Sequence, residues 1–320
     1  MGLAMAAEKS ALPGALRGLC CPCCRGALSL SSDGAVCLDC ERRYAARGGR
    51  PALLDPAGPL AGSARETAAV HEAGGGWASR LARRLPRLTG NPRSARNFEG
   101  FVAAARTLSD RPRLLAMGCG EGGEGMAAAL KDPGLEWLES DIRWTSRTAL
   151  LADIHQIPFE DGSFDGVVLQ AVLEHVLDPV RAVAEVHRVL RPGGVVYAET
   201  PFLQHVHAGA HDFTRFTHLG HRRLFRQFEE IESGPASGPG SALAWAWQGF
   251  VLSWARTRRG RLAATLAARL SGFWLKHLDG WLLARPGAYD FASAYYFLGA
   301  KAESALPDEA LLRGYRGLQR

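Results

Sequence analysis

The sequence predicts an α/β chain: a doubly wound, mostly parallel sheet, preceded by a small β-rich module and interrupted by a helical insertion before the last strand. Three observations predict it. From residue 98 onward, amphipathic helical stretches alternate with short apolar runs, and such alternation yields a parallel sheet covered by helices. Six of the seven cysteines crowd between Cys20 and Cys40, in pairs whose spacing suits a metal ion better than disulfides. A glycine-rich loop, Gly118-Cys119-Gly120-Glu121-Gly122, follows the first apolar strand. Glycines at such a point let the backbone approach a ligand closely.

Composition bounds the rest. A hydrophobic fraction of 47% and a charged fraction of 22% are those of a globular chain, which excludes a disordered or fibrous one. At 320 residues there is room for a catalytic domain and one small accessory domain. The longest apolar candidate for a membrane span, residues 242–254, is broken by Gln248 and Gly249 and falls short of the roughly 18 residues required. The residues up to Ser10 lack a basic segment followed by an apolar stretch, so they do not read as a secretory leader and the expected location is cytoplasmic. The net charge of +6 comes from arginines spread along an Ala-, Arg- and Leu-rich chain, so composition bias accounts for it better than a nucleic-acid partner does.

In chain order, residues 17–56 form the cysteine module, with short alternating runs and glycines. Residues 57–96 are a linker and helical lead-in, because 55–76 is rich in Pro, Gly and Ala without strong periodicity. Residues 97–304 are the main domain and 305–320 a C-terminal tail. Within the main domain the pattern predicts a helix over 98–108, a strand over 113–117, a loop over 118–125 and a helical stretch over 126–130. Further strands are expected at 135–140, 166–170, 195–199 and 294–298, with a helix over 179–190 ahead of the Arg191-Pro192-Gly193-Gly194 turn. The Gly-, Pro- and Ser-rich stretch 232–241 reads as the opening of the helical insertion, 242–288.

Cys21-Pro22-Cys23-Cys24 and Cys37-Leu38-Asp39-Cys40 are two CxxC knuckles, each able to present two thiolates to one tetrahedral ion. Cys20 and Cys23 also form a CxxC, but Arg25-Gly26 completes the usual turn after Cys24, so Cys21, Cys24, Cys37 and Cys40 are the expected zinc ligands. Four thiolates leave no open coordination position, and the zinc is a structural staple. The run 37–54, with Tyr44, Gly49, Pro51, Leu53 and Leu54, resembles the zinc-ribbon family typified by the small activator subunit of tRNA methyltransferases.

The glycine loop alone would serve a nicotinamide enzyme or a plain turn equally well. About twenty residues on, Leu138-Glu139-Ser140-Asp141-Ile142 ends a strand with a carboxylate suited to the hydroxyls of a ribose. Then follow Ala152-Asp153-Ile154, Ile157-Pro158-Phe159, Ser163-Phe164-Asp165, Leu173-Glu174-His175-Val176 and Val189 to Gly194. In that order and spacing these motifs resemble the type 11 family of class I S-adenosylmethionine-dependent methyltransferases, over residues 113–201. The resemblance implies a Rossmann-like fold with seven strands. It also implies that Gly118, Gly120 and Gly122 line the methionine end of the cofactor, that Asp141 holds the ribose, and that Asp153 with the backbone of Ile154 reads the adenine. Gln170 and Ala171 would flank the sulfonium. The chain departs from the family at Ala116, where an acidic residue is usual: either another acid such as Glu121 takes the contact with the cofactor's amino group, or cofactor affinity is reduced.

After the strand at 195–199 come His205, His207, His211, Asp212 and Arg215, in a loop at the carboxyl end of the sheet where substrates bind. The series resembles methyltransferases of cell-surface sugar and glycolipid biosynthesis. His207 is the candidate base, with Asp212 and Arg215 on the acceptor side; the alternative is that Asp212 and Arg215 merely clip the loop. Glu174 and His175 are expected to be structural. Trp245, Trp247, Phe250, Leu252 and Trp254 of the insertion, beside Arg256, Arg258, Arg259 and Arg261, suit either a lid over the acceptor cleft or a peripheral contact with anionic lipid. The expected reaction is methyl transfer to a small molecule or a glycan or glycolipid precursor. The alternatives are an rRNA or tRNA methyltransferase and a non-catalytic cofactor-binding protein; the oligomeric state stays open.

Overall fold

The computed structural model describes residues 16–55, 58 and 88–319, so most of the linker and lead-in expected over 57–96 lies outside the described residues. The cysteine module folds as an antiparallel ladder of β1 (Leu28–Ser31), β2 (Gly34–Cys37), β3 (Arg43–Arg47) and β4 (Arg50–Leu53). The main domain adds β5 (Arg113–Met117), β6 (Glu136–Asp141), β7 (Leu150–Ala152), β8 (Phe164–Gln170), β9 (Leu190–Pro201), β10 (Phe228–Ser237) and β11 (Ala294–Lys301). The order across the sheet is β1-β2-β3-β4-β7-β6-β5-β8-β9-β11-β10. From β4 to β9 neighbouring strands are parallel, and β11 runs antiparallel to both β9 and β10.

The expected seven strands are therefore a correction: among the described residues the sheet has 11, because the cysteine module joins it. Ala52 and Leu53 of β4 pair with Leu151 and Ala152 of β7. An uncovered β7 would present unpaired N–H and C=O groups, and β4 satisfies them. The module is also tied down through Cys20 N to Pro158 O at 3.0 Å and Glu160 N to Gly18 O at 2.8 Å. Its apolar side chains Ala35, Tyr44 and Leu53 share one core with Phe159, Phe164 and Val183 of the main domain.

Alternation along β5 sends Leu115 and Met117 to one face and Leu114 and Ala116 to the other, as the two-residue period of a strand demands. The first face is covered by α2 (Pro179–Val189), which buries Ala182, Val183, Val186 and Val189 at helical spacing after a start at Asp178, whose carboxylate caps Arg181 N at 3.0 Å. The second is covered by α1 (Ser94–Arg106) through Phe98 and Phe101. Phe98 meets Tyr197 of β9 edge-on at 4.8 Å. Burial of such a ring contributes about 1.5–3 kcal/mol.

Two local expectations are corrected. Residues 126–130 are not a regular helix; only Ala129–Lys131 form a 3-10 turn, since Gly125 and Asp132-Pro133-Gly134 leave too few residues between them. Residues 232–237 are strand and not loop: they complete β10, and α4 (Pro239–Ser253) starts two residues later. Gly234 and Pro235 are accommodated there because β10 is the last strand of the sheet and bulges between Pro235 and Ser237. The insertion continues as α5 (Arg258–Gly272), α6 (Asp279–Leu282) and α7 (Ala288–Phe291) before β11. The tail carries α8 (Asp308–Arg313) and is held to β10 by Arg316 on Glu230 at 2.7 Å. No helix of the described residues is long and apolar enough to cross a membrane.

Candidate cofactor site and thiolate centre

The four thiols Cys21, Cys24, Cys37 and Cys40 converge, with all ligand atoms within 4.8 Å of one another. Cys21 Sγ lies 3.7 Å from Cys40 Sγ, and Cys24 Sγ 3.4 Å from Cys37 Sγ. Tetrahedral zinc with Zn–S near 2.3 Å places its sulfurs about 3.8 Å apart, so the donor set fits that ion. The structure thereby selects the register with Cys21 and Cys24. Cys20 faces away into the core, where burial pushes its thiol up to about 11. The Tyr44 hydroxyl reaches Cys21 Sγ at 3.1 Å, linking the centre to the shared core.

Beyond the carboxyl ends of β5 and β8 lies a cleft of about 380 Å³. It sits where the chain leaves β5 for β6 on one side and β8 flanks the other, the switch point at which open parallel sheets bind ligands. Gly118 (φ +68°), Gly120 (φ +47°) and Gly122 (φ +102°) all line it in the left-handed region. A Cβ on Gly118 would come within 2.6 Å of Val172, whereas one on Gly120 would meet nothing within 4 Å, so that glycine leaves room for a ligand. Asp141 Oδ2 accepts a hydrogen bond from Gly120 N at 2.9 Å and Oδ1 one from Arg143 N at 3.0 Å. The buried carboxylate therefore shapes the loop from behind, and Asp141 itself lies outside the residues that line the cleft. Cys119 Sγ meets the Thr148 hydroxyl at 3.8 Å, and burial pushes its thiol up to about 12.

Gln170 and Ala171 form the opposite wall. Ala171 holds φ +55°, a conformation that costs a residue with a side chain about 1–3 kcal/mol, and Ala171 N donates to Glu199 O at 3.1 Å. Asp153 and Ile154 do not line this cleft. Asp153 caps a short turn, accepting from His155 N at 2.9 Å and pairing with His155 Nδ1 at 2.6 Å. Burial works to raise its carboxyl, but the bonds from His155 outweigh burial and hold it below its ordinary value.

Sequence reasoning missed Glu199. It lies two residues before the end of β9, near where Asp141 ends β6, and a carboxylate close to the carboxyl end of a strand is the signal that could have found it. Its oxygens accept from Asn91 at 2.8 and 2.9 Å, from Gln170 Nε2 at 2.8 Å and from the Tyr197 hydroxyl. Glu199 lines the cleft with Ala116 and has no cation among these partners. Burial raises its carboxyl, partly offset by the three donors. Glu121, the acid expected to compensate for Ala116, also lines the cleft and accepts from Ser146 at 3.3 Å.

On the acceptor side, Asp212 and Arg215 form a bidentate pair. This pair holds the Asp212 carboxyl well below its usual range. His207 N donates to Asp212 at 2.9 Å, and its Nε2 lies 3.8 Å from Glu174 Oε1. Glu174 is fully buried, and burial pushes its carboxyl up to about 7. His205 is drawn off to the insertion, its ring edge-on to Trp245 at 4.5 Å. A larger cleft of about 460 Å³, between α3 (His218–Leu224), β10 and the tail, is lined by the paired charges Arg222, Glu230 and Arg316 and is remote from the glycine loop.

Fold and cleft define an α/β domain with an open cleft at the switch point of its parallel strands. Residues 115–198 match the family described as a methyltransferase domain. A 37.1 kDa uncharacterized protein in transposon TN4556 of Streptomyces fradiae is 36% identical over 115 residues, 32% of this chain and 33% of that one. A protein of Mycolicibacterium smegmatis described as a probable S-adenosylmethionine-dependent methyltransferase is 38% identical over 96 residues, 28% of this chain and 37% of its own. The matches thus span about a third of these relatives' length. The solved phosphoethanolamine N-methyltransferase 2 of Haemonchus contortus is similar over 67% of this chain and 55% of its own at 17% identity, with a TM-score of 0.40. The matched segment supports an S-adenosylmethionine-dependent methyltransferase domain.

Proposed function

We propose that the chain transfers a methyl group from S-adenosylmethionine to a small-molecule or glycan or glycolipid-precursor acceptor. One observation carries the reading: a single cleft gathers the left-handed glycines, the Gln170-Ala171 wall and the buried carboxylate of Glu199, with Asp141 latching Gly120 from behind the loop. In this reading Gly118, Gly120 and Gly122 receive the methionine end, Asp141 the ribose, and Glu199 the cofactor's ammonium in place of the acid absent at Ala116. Asp153 and Ile154 take the adenine at the far end. The bound cofactor supplies an electrophilic methyl group; the protein's part is to orient it and exclude water. His207, Asp212 and Arg215 form the acceptor side. The thiolate centre holds structural zinc in a ribbon of the activator type.

Exposed aromatic side chains on the insertion favour peripheral contact with anionic lipid over a lid. Phe250, Trp254, Trp274 and Trp281 are exposed, and the stretch 233–278 carries Arg256, Arg258, Arg259, Arg261, Arg269 and Lys276 with no acidic residue. A lipid-linked acceptor is consistent with such a surface.

Calorimetric titration with S-adenosylmethionine and with NAD, followed by transfer of labelled methyl to lysate fractions, tests the reading. Heat from the first ligand alone and label in the lipid or small-molecule fraction are expected. Label in RNA would move the assignment to an rRNA or tRNA methyltransferase, and binding without label in any fraction would make this a non-catalytic cofactor-binding protein.

A further inference from the structure

Glu174 is an anomaly in an otherwise well-paired loop system. It is wholly buried, yet among the described residues neither side-chain oxygen has a hydrogen-bond partner. A carboxylate taken out of water without partners is strongly unfavourable, so such a group is either protonated or waiting for a cation. The nearby cation does not serve: Arg215 is engaged bidentately by Asp212, and its remaining bonds go to the carbonyls of Gln204, His205 and Thr214.

What does face Glu174 is a pair of imidazoles. His175 Nε2 lies 3.7 Å and His207 Nε2 3.8 Å from Glu174 Oε1, too far for hydrogen bonds. Each ring is anchored by its other nitrogen. His175 Nδ1 meets the carbonyl of His211 at 2.7 Å, which fixes Nδ1 as the protonated atom and leaves Nε2 with a free lone pair. His207 Nδ1 faces the Asp212 carboxylate at 3.5 Å, the arrangement that orients and strengthens a metal-ligating histidine. The three potential donor atoms lie within 4.8 Å of one another. Ligands about 2.1 Å from a tetrahedral ion are about 3.4 Å apart, so the two carboxylate–imidazole separations need to close by only a few tenths of an ångström and the imidazole pair by no more than about 1.4 Å. The rings are edge-to-face at 5.1 Å and about three-tenths exposed, which keeps one side of the set open.

We infer that Glu174, His175 and His207 bind a divalent first-row transition-metal ion, separate from the thiolate centre, with an open position for an oxygen-donor ligand. Two imidazoles and one carboxylate suit zinc, cobalt, manganese or iron(II), and three protein ligands are the number found where a metal keeps a site for substrate. The inference does not depend on methyl transfer. It changes the part of His207, whose Nε2 becomes a ligand where the sequence suggested a free base; the ion would acidify a bound hydroxyl instead.

Cobalt(II) titrated into the full-length protein carrying its purified zinc tests this. The expected result is one equivalent bound with only weak visible bands and no thiolate-to-metal absorption. His207→Ala and Glu174→Gln should each weaken that binding at least tenfold without loss of the protein's zinc. The exposed His207 variant keeps the test decisive should the buried Glu174 variant misfold. No added equivalent in the wild type, an added ion showing thiolate absorption, or unchanged affinity in a folded His207→Ala protein would overturn the site.

Discussion

Replacing Glu199 by Gln separates cofactor recognition from folding. The carboxylate sits among three neutral donors, Asn91, Gln170 and the Tyr197 hydroxyl, none of which cancels its charge. Glutamine is isosteric, Tyr197 can rotate its hydroxyl to accept, and Asn91 can present its carbonyl, so the amide finds partners. Removal of a buried charge whose ionised form burial already disfavours leaves stability nearly unchanged. Affinity should change much more. A hydrogen bond to a charged group is worth about 1.5–3 kcal/mol, which corresponds to about a tenfold to 150-fold weaker Kd for S-adenosylmethionine. The pH dependence adds a second signature. The ligand's ammonium favours the ionised carboxylate, and burial has raised that carboxyl, so wild-type affinity should rise as pH increases through the range above the ordinary 4.5. The Glu199→Gln protein should lack this rise. Isothermal titration at several pH values measures both; equal affinity with an identical pH profile in the two proteins would refute the ammonium assignment.

Asp141→Ala removes the acceptor for Gly120 N and Arg143 N, and should weaken cofactor binding by about 1–3 kcal/mol in the same titration, with equal affinities removing Asp141 from the site. Purified protein should hold about one tightly bound zinc by elemental analysis, and Cys21→Ser should lower it. Because β4 covers β7, that substitution should also lower the midpoint of one cooperative thermal transition of the whole chain; an isolated early transition with an unchanged main one would show the module to be independent. His218 and His221 are buried as neutral rings, held down to about 4 and about 3 by burial first, with Arg316 adding to the effect at His218 and the cost of charging two adjacent imidazoles adding to it at His221. The unfolded chain takes up these protons below about pH 6.5 and the folded one only near pH 4 and below, so stability falls as pH drops through that window, by about 3 kcal/mol for His218 alone. His221→Phe, at a ring whose Nε2 has no partner among the described residues, should shift the acid-unfolding midpoint downward; an unchanged midpoint in circular dichroism would exclude His221 from the effect.

Much of this molecule is written locally. The strand at 113–117, the glycines of the loop and the helix beginning at Pro179 follow from apolar period, backbone freedom and capping, each set by residues a few positions apart. The thiolate set was legible from the CxxC spacing, although its register was settled by where the chain turns after Cys24. Other features depend on partners distant in sequence. Nothing within 50–53 announces that β4 will seek β7 a hundred residues away, and nothing within 232–237 distinguishes an edge strand from a loop until β11 lies beside it. Glu174 and Glu199 read as an ordinary helix-start residue and a strand residue. Their significance comes from burial among groups gathered from separate segments, since the free energy of a charge is set by the three-dimensional surroundings that replace its water and not by its neighbours along the chain.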